Sequence, residues 1–130
     1  SLSGMSRWLR STLTNLKVFD TKIRNGKILI KATNETAVPI NGATVVVNNV
    51  TGVQVGTGTT GNTGYTRWPL DSGYRMWLNV TEYQIPNTGV RVDHTPHNIT
   101  VTATGFQTGY ASPEPTVNQN TVVTVIMKEV

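Results

Sequence analysis

The chain predicts an all-β fold: a single antiparallel Ig-like or transthyretin-like β-sandwich of seven or eight strands with a short N-terminal amphipathic arm. Three observations carry this. From about residue 16 onward apolar residues recur with a period of two, as in Ile28, Ile30 and Ala32 or Ile99, Val101 and Ala103. Clusters of glycine, proline and asparagine interrupt these runs at short intervals, as in Pro39-Ile40-Asn41-Gly42 and Gly61-Asn62-Thr63-Gly64. At 130 residues the chain suffices for one domain with a true core, and no apolar run approaches the roughly 20 residues of a membrane span.

Taken in order, residues 3–16 place Met5, Trp8, Leu9, Leu13 and Leu16 at spacings of three and four. That is an amphipathic helix of about three turns, which needs a surface to pack on. Residues 16–19 switch to period two and read as a short strand, and Asn25-Gly26 reads as a hairpin turn. Residues 27–33 follow as a strand with Ile28, Ile30 and Ala32 on one face and Lys27, Lys31 and Thr33 on the other. Beyond the Pro39–Gly42 turn, Ala43, Val45 and Val47 share a face. Residues 53–57 and 65–70 are further strands on either side of a glycine-rich loop. Residues 74–80 read as one aromatic-rich strand, Tyr74, Met76 and Leu78 alternating with Arg75, Trp77 and Asn79. Residues 81–96 are less regular, with a short strand at 90–92. Residues 97–104 put His97, Ile99, Val101 and Ala103 inward, and residues 121–128 form the last strand. No internal repeat is visible.

Composition narrows the chemistry. The chain has no cysteine, which excludes disulfides, thiol catalysis and thiolate metal sites. Charged residues make up 14%, against roughly 25% in an average soluble protein, so hydroxyls and amides carry solubility, as in many exported β-proteins. No signal peptide is visible, so an exported protein would be present in its mature form. The net charge of +4 is uneven. Residues 1–31 hold seven basic side chains and one acid, whereas residues 32–130 hold four basic side chains and six acids. The expected division is a basic arm over 1–20 and a sandwich over 21–130, and such an arm beside a mildly acidic body suits contact with another copy of the chain.

Residues 27–128 resemble the carboxypeptidase regulatory-like family of surface and secreted β-sandwiches. The positions that carry the likeness are Pro39, Gly42 and Ala43; Thr60, Gly64 and Tyr65; Ala103, Gly105 and Phe106; then Val123, Val125 and Met127. The resemblance implies a scaffold without catalytic residues, with Tyr65 and Phe106 filling the core. Relative to the family pattern, residues 71–96 are inserted and residues 1–20 have no counterpart. Related collagen-adhesin domains join first and last strands by a Lys–Asn isopeptide, but Lys27 and Lys31 fall on the outward face here.

Four Asn-x-Thr triplets, at Asn34, Asn49, Asn79 and Asn98, are acceptors for N-linked glycan if the chain is exported. Without cysteine, such a glycoprotein suits an archaeal surface. Trp68, Tyr74, Trp77 and Tyr83 are candidates for a ligand-contacting aromatic platform. Trp8, Leu9, Leu13, Leu16, Val18 and Phe19 are the candidate assembly residues, as helix anchors and as an added strand. Asp93-His94-Thr95-Pro96-His97 has two imidazoles and a carboxylate but no third strong ligand nearby, and Asp71, Glu82 and Asp93 read as solvated charge. No metal, cofactor or catalytic residue is expected. The expected function is a non-catalytic extracellular subunit of a filament, surface layer or adhesin, with copies of itself as partner and glycans or other surface proteins as further ones. Neither nucleic acid nor a membrane span is expected. The alternative is a carbohydrate- or protein-binding accessory module.

Overall fold

The computed structural model describes residues 21–130. The helical pattern over 3–16, the strand over 16–19 and the assembly residues Trp8, Leu9, Leu13, Leu16, Val18 and Phe19 lie outside the described residues.

Ten strands follow in chain order: β1 (Lys22–Asn34), β2 (Thr44–Asn48), β3 (Gln54–Thr59), β4 (Arg67–Trp68), β5 (Asp71–Arg75), β6 (Leu78–Ile85), β7 (Val92–Asp93), β8 (Asn98–Thr102), β9 (Gly109–Tyr110) and β10 (Thr121–Met127). Seven have five or more residues, and three are two-residue pairings too short to leave an alternating pattern in the sequence. One four-stranded sheet runs β10-β1-β6-β7, a second runs β3-β2-β8-β9, and β4-β5 form a separate two-stranded ribbon. The all-β expectation holds. Among the strand pairs, β1 and β10 are parallel, with Ile28 to Asn34 in register with Thr121 to Met127.

The core lies between the two larger sheets. Ile28, Ile30 and Ala32 meet Val45, Val47, Ile99 and Val101 across the interior, with Leu78, Val80, Val125 and Met127 completing it. Burying one such aliphatic side chain contributes about 1.5–3 kcal/mol, so this alternation is what fixes the register. Leu78 and Val80 belong to β6, the neighbour of β1. The segment 71–96 therefore supplies a strand of the main sheet as well as surface loops.

Three local expectations differ from what the chain does. Asn25-Gly26 lies inside β1, with a register shift between Arg24 and Asn25. The Lys27 N–H donates to the carbonyls of Asn118 and Gln119, both at 3.2 Å, and a Cβ at residue 26 would collide with the Asn118 carbonyl oxygen. Glycine here admits a neighbouring backbone to a strand; it makes no turn. The expected strand over 74–80 is broken at Met76 and Trp77. The Thr66 hydroxyl donates to the Met76 carbonyl at 2.8 Å and the Met76 N–H donates to the Thr66 carbonyl at 2.7 Å, which tie Met76 to Thr66 while β5 pairs with β4. Tyr65 bridges Lys31 on the outer side of β1, and it is its neighbour Thr66 that is fully buried.

Candidate interaction surfaces and modification sites

The four sequons have different surroundings. Asn34-Glu35-Thr36-Ala37-Val38 and Asn49-Val50-Thr51-Gly52-Val53 build the same loop twice. In each, the asparagine Oδ1 accepts from the backbone N–H and the hydroxyl of the threonine two residues on, and from the N–H of the valine four residues on. The distances are 2.9, 2.9 and 2.9 Å at Asn34 and 3.1, 2.7 and 3.0 Å at Asn49. In each, the asparagine N–H donates to the carbonyl of that valine, at 2.9 and 2.8 Å. The fourth residue is left-handed in both, Ala37 at φ 66° and Gly52 at φ 88°. The recurrence Asn-x-Thr-Ala/Gly-Val is legible in the sequence, and matching five residues where only three were compared would have found it. Two of the four triplets thus have a reason in loop closure for carrying Asn and Thr.

Asn49 is buried and Asn34 half-buried. Asn98, expected on the outward face of its strand, is half-buried; its Nδ2 donates to Glu114 Oε1 at 3.4 Å and its Oδ1 accepts from the Thr100 hydroxyl at 3.2 Å. Asn79 is exposed on β6, opposite Lys27.

The aromatic side chains divide into two groups. Trp68 and Tyr74 are 56% and 65% exposed on the β4–β5 ribbon, whose tip carries the fully exposed Leu70. Trp77 and Tyr83 are half-buried. The Arg91 guanidinium stacks 3.9 Å from the Tyr83 ring centroid, and its hydrogen bond to Asp93 at 2.8 Å raises its pKa. Tyr65 carries Arg75 at 4.0 Å and Lys31 at 5.2 Å from its ring centroid. These contacts use the ring faces internally. The four aromatics thus differ in exposure, Trp68 and Tyr74 being open to solvent and Trp77 and Tyr83 half-buried.

Two further carboxylates have local partners. Glu82 accepts from Arg24 at 3.1 Å, and Asp71 accepts from the Gly73 N–H at 3.0 Å. His97 is fully buried, as its strand parity predicts, and among the described residues neither ring nitrogen has a hydrogen-bond partner. Burial, then the nearby His94, pushes its pKa down, so the ring is held neutral. Among the described residues no three His, Asp or Glu side chains group as metal ligands. Lys27 is exposed and Lys31 half-buried on the outer side of β1, while the interior positions across from β10 are Ile28, Ile30 and Ala32, which leaves no lysine where an isopeptide would need one.

The two four-stranded sheets have four outer strands: β10, β7, β3 and β9. β7 and β9 are two residues long, and β3 carries Gly56 and Gly58. β10 is seven residues long, with Val122 56% and Ile126 63% exposed on its outward face and Val123, Val125 and Met127 directed inward.

No family model matches the chain, and no curated protein matches its sequence. Among solved structures, the shaft pilin SpaA from Lactobacillus rhamnosus GG aligns with a TM-score of 0.46 at 12% identity. The alignment covers 83% of this chain and 52% of that one, so the chain spans about half the length of that pilin. A likeness at this level assigns neither family nor function. Of the carboxypeptidase regulatory-like resemblance, the β-sandwich architecture is what the fold bears out.

Proposed function

We propose that this chain is a non-catalytic structural subunit of an extracellular assembly, such as a filament, surface layer or adhesin stalk, whose copies join through residues 1–20. The observation that supports it is the β10 edge, a seven-residue outer strand with exposed aliphatic side chains, on a chain in which residues 1–20 precede the described sandwich. Open edges of this kind pair with added strands unless they are covered or charged, and none of the residues of β10 itself is charged. The low charge content and the sequons support an exported setting. Asn79, exposed on a sheet face, is the proposed principal site of N-linked glycan, with Asn34 second.

Deleting residues 1–20 is expected to leave a sandwich with cooperative unfolding and to abolish ordered assembly, as read by electron microscopy of full-length and shortened chains. A shortened chain that still assembles would falsify this reading. The second reading, a carbohydrate- or protein-binding module, draws on the exposed Trp68 and Tyr74 of the β4–β5 ribbon. It requires the full-length chain to remain dispersed, and Trp68→Ala to weaken binding to an immobilised glycan or protein panel without lowering stability.

A further inference from the structure

Resting on the assembly reading, we infer that the receptor for the N-terminal segment is the outer edge of β10 in a second copy of the chain. We further infer that residues 16–19 add there as an antiparallel strand, Val18 opposite Val123 and Phe19 opposite Val122. The choice of edge follows from the four outer strands. β7 and β9 offer two residues each, and β3 presents glycines where an added strand would need apolar partners. Among the described residues β10 has β1 on one side as its only strand partner, and backbone pairing on its other side resumes only beyond it, where the Gln107 N–H donates to the Lys128 carbonyl at 2.8 Å.

The seam between the sheets is closed unevenly along this edge. Near its end, β9 lies so close that a Cβ on Gly109 would stand 2.9 Å from Val125 Cγ1 and 3.1 Å from Met127 Cγ. Nearer its start, Val123 packs on the core but is only half-buried, and Val122 is exposed. A strand laid beside this stretch finishes the burial of Val123.

Strand parity then sets the register. Leu16 and Val18 alternate with Lys17 and Phe19, and a shift of one residue would turn Lys17 into the seam. With Val18 opposite Val123, Val18 enters the open part of the seam, Phe19 covers the exposed Val122, and Lys17 stands outward beside Thr124. The antiparallel direction follows from charge. Residues before Leu16 include Arg7 and Arg10, and an antiparallel strand carries them toward the Met127 end of β10. There Glu35 and Glu129, with Asn34, Thr36 and Met127, line a notch of about 250 Å³. The opposite direction would carry both arginines away from these carboxylates.

Chain length requires the second copy. Thr121 is in register with Ile28, six residues beyond the start of β1 at Lys22, or about 20 Å along the sheet. Phe19 precedes Lys22 by three residues, which span at most about 10 Å fully extended. The chain's own residues 16–19 therefore cannot lie along its own Thr121 to Thr124, whereas those of another copy can.

The absence of cysteine makes the test direct. Full-length Lys17→Cys and Thr124→Cys proteins, the latter altered at an exposed position, are mixed under mild oxidation and scored for disulfide-linked heterodimer. Lys17→Cys with Thr57→Cys on β3 serves as comparison. Prompt 17–124 heterodimer, with little 17–57 product, is the expected result. Cross-linking to Thr57→Cys instead overturns the receptor while leaving assembly through the segment intact, as do ordered assemblies that give neither product. An intramolecular bond in a dilute 17/124 double variant overturns the second copy as donor, and the absence of both assembly and cross-link overturns both readings. Independently, the pair Glu35→Lys and Glu129→Lys should raise the concentration needed for assembly about tenfold without moving the thermal midpoint, and Arg7→Glu with Arg10→Glu in the partner should restore it. An unchanged assembly threshold overturns the antiparallel direction.

Discussion

At the scale of single residues, the buried groups make predictions that do not depend on assembly. His97 is held neutral in the folded state by burial, so its folded pKa lies below the ordinary imidazole value of about 6.5. The unfolded chain takes up the proton first as pH falls. Its contribution to stability is therefore undiminished above about pH 6.5 and is lost as pH drops through that value toward the folded pKa. Urea midpoints at pH 7.5 and 5.5 should differ more in the parent protein than in His97→Leu, and equal differences in the two would discard the assignment. Asn49 is a different case. Its Oδ1 accepts three hydrogen bonds in a buried loop, so Asn49→Ala should cost about 1–3 kcal/mol by urea unfolding. Asn34→Ala, in the same but more exposed loop, should cost less; a larger loss at Asn34 would show that burial does not separate the two loops.

At the scale of elements, long strands were legible and junctions were not. The runs at 97–104 and 121–128 alternate, and the buried sets Ile99/Val101 and Val125/Met127 follow from that alternation; in 27–33 Ile28, Ile30 and Ala32 are buried as expected, but Leu29 and Thr33, on the face read as outward, are buried as well. Asn25-Gly26 misled because the same dipeptide that favours a hairpin turn also suits a strand approached by another backbone, and only the distant partner Asn118 distinguishes the two. The 74–80 run reads as one strand because alternation continues through Met76 and Trp77, whereas the tie to Thr66 that breaks it comes from ten residues upstream. Of the candidate sites, the sequons and exposed aromatics could be found by residue type, but the shared loop of Asn34 and Asn49 and the stacking of Arg91 on Tyr83 depend on contacts that spacing does not encode. The β9–β10 seam yields its own prediction. Gly109→Ala would press a methyl group against Val125 and Met127, and it should lower the thermal midpoint, while Gly89→Ala, with open space around it but a left-handed φ of 78°, should report the backbone cost alone. A Gly109→Ala protein no less stable than Gly89→Ala would mean that the seam is looser than its geometry implies.

At the scale of the whole molecule, the sandwich separates stability from attachment. Among the described residues the core lies between the two larger sheets, and the side chains proposed for joining copies, the outward face of β10 with Glu35 and Glu129, are exposed around it. Substitutions on the edge should therefore affect association more than folding, which is the contrast the charge-reversal experiment measures. The parallel pairing of β1 and β10 has a mechanical meaning as well. The two strands lie side by side and run the same way, so the chain enters the sheet at one end of the sandwich and leaves it at the other. Tension between those ends slides the two strands past one another, loading the bonds of the seven paired positions together rather than peeling them apart singly. Forced rupture is governed by the barrier to that concerted slip and not by equilibrium stability. A series of such domains under load would behave as a row of lap joints, each resisting in shear.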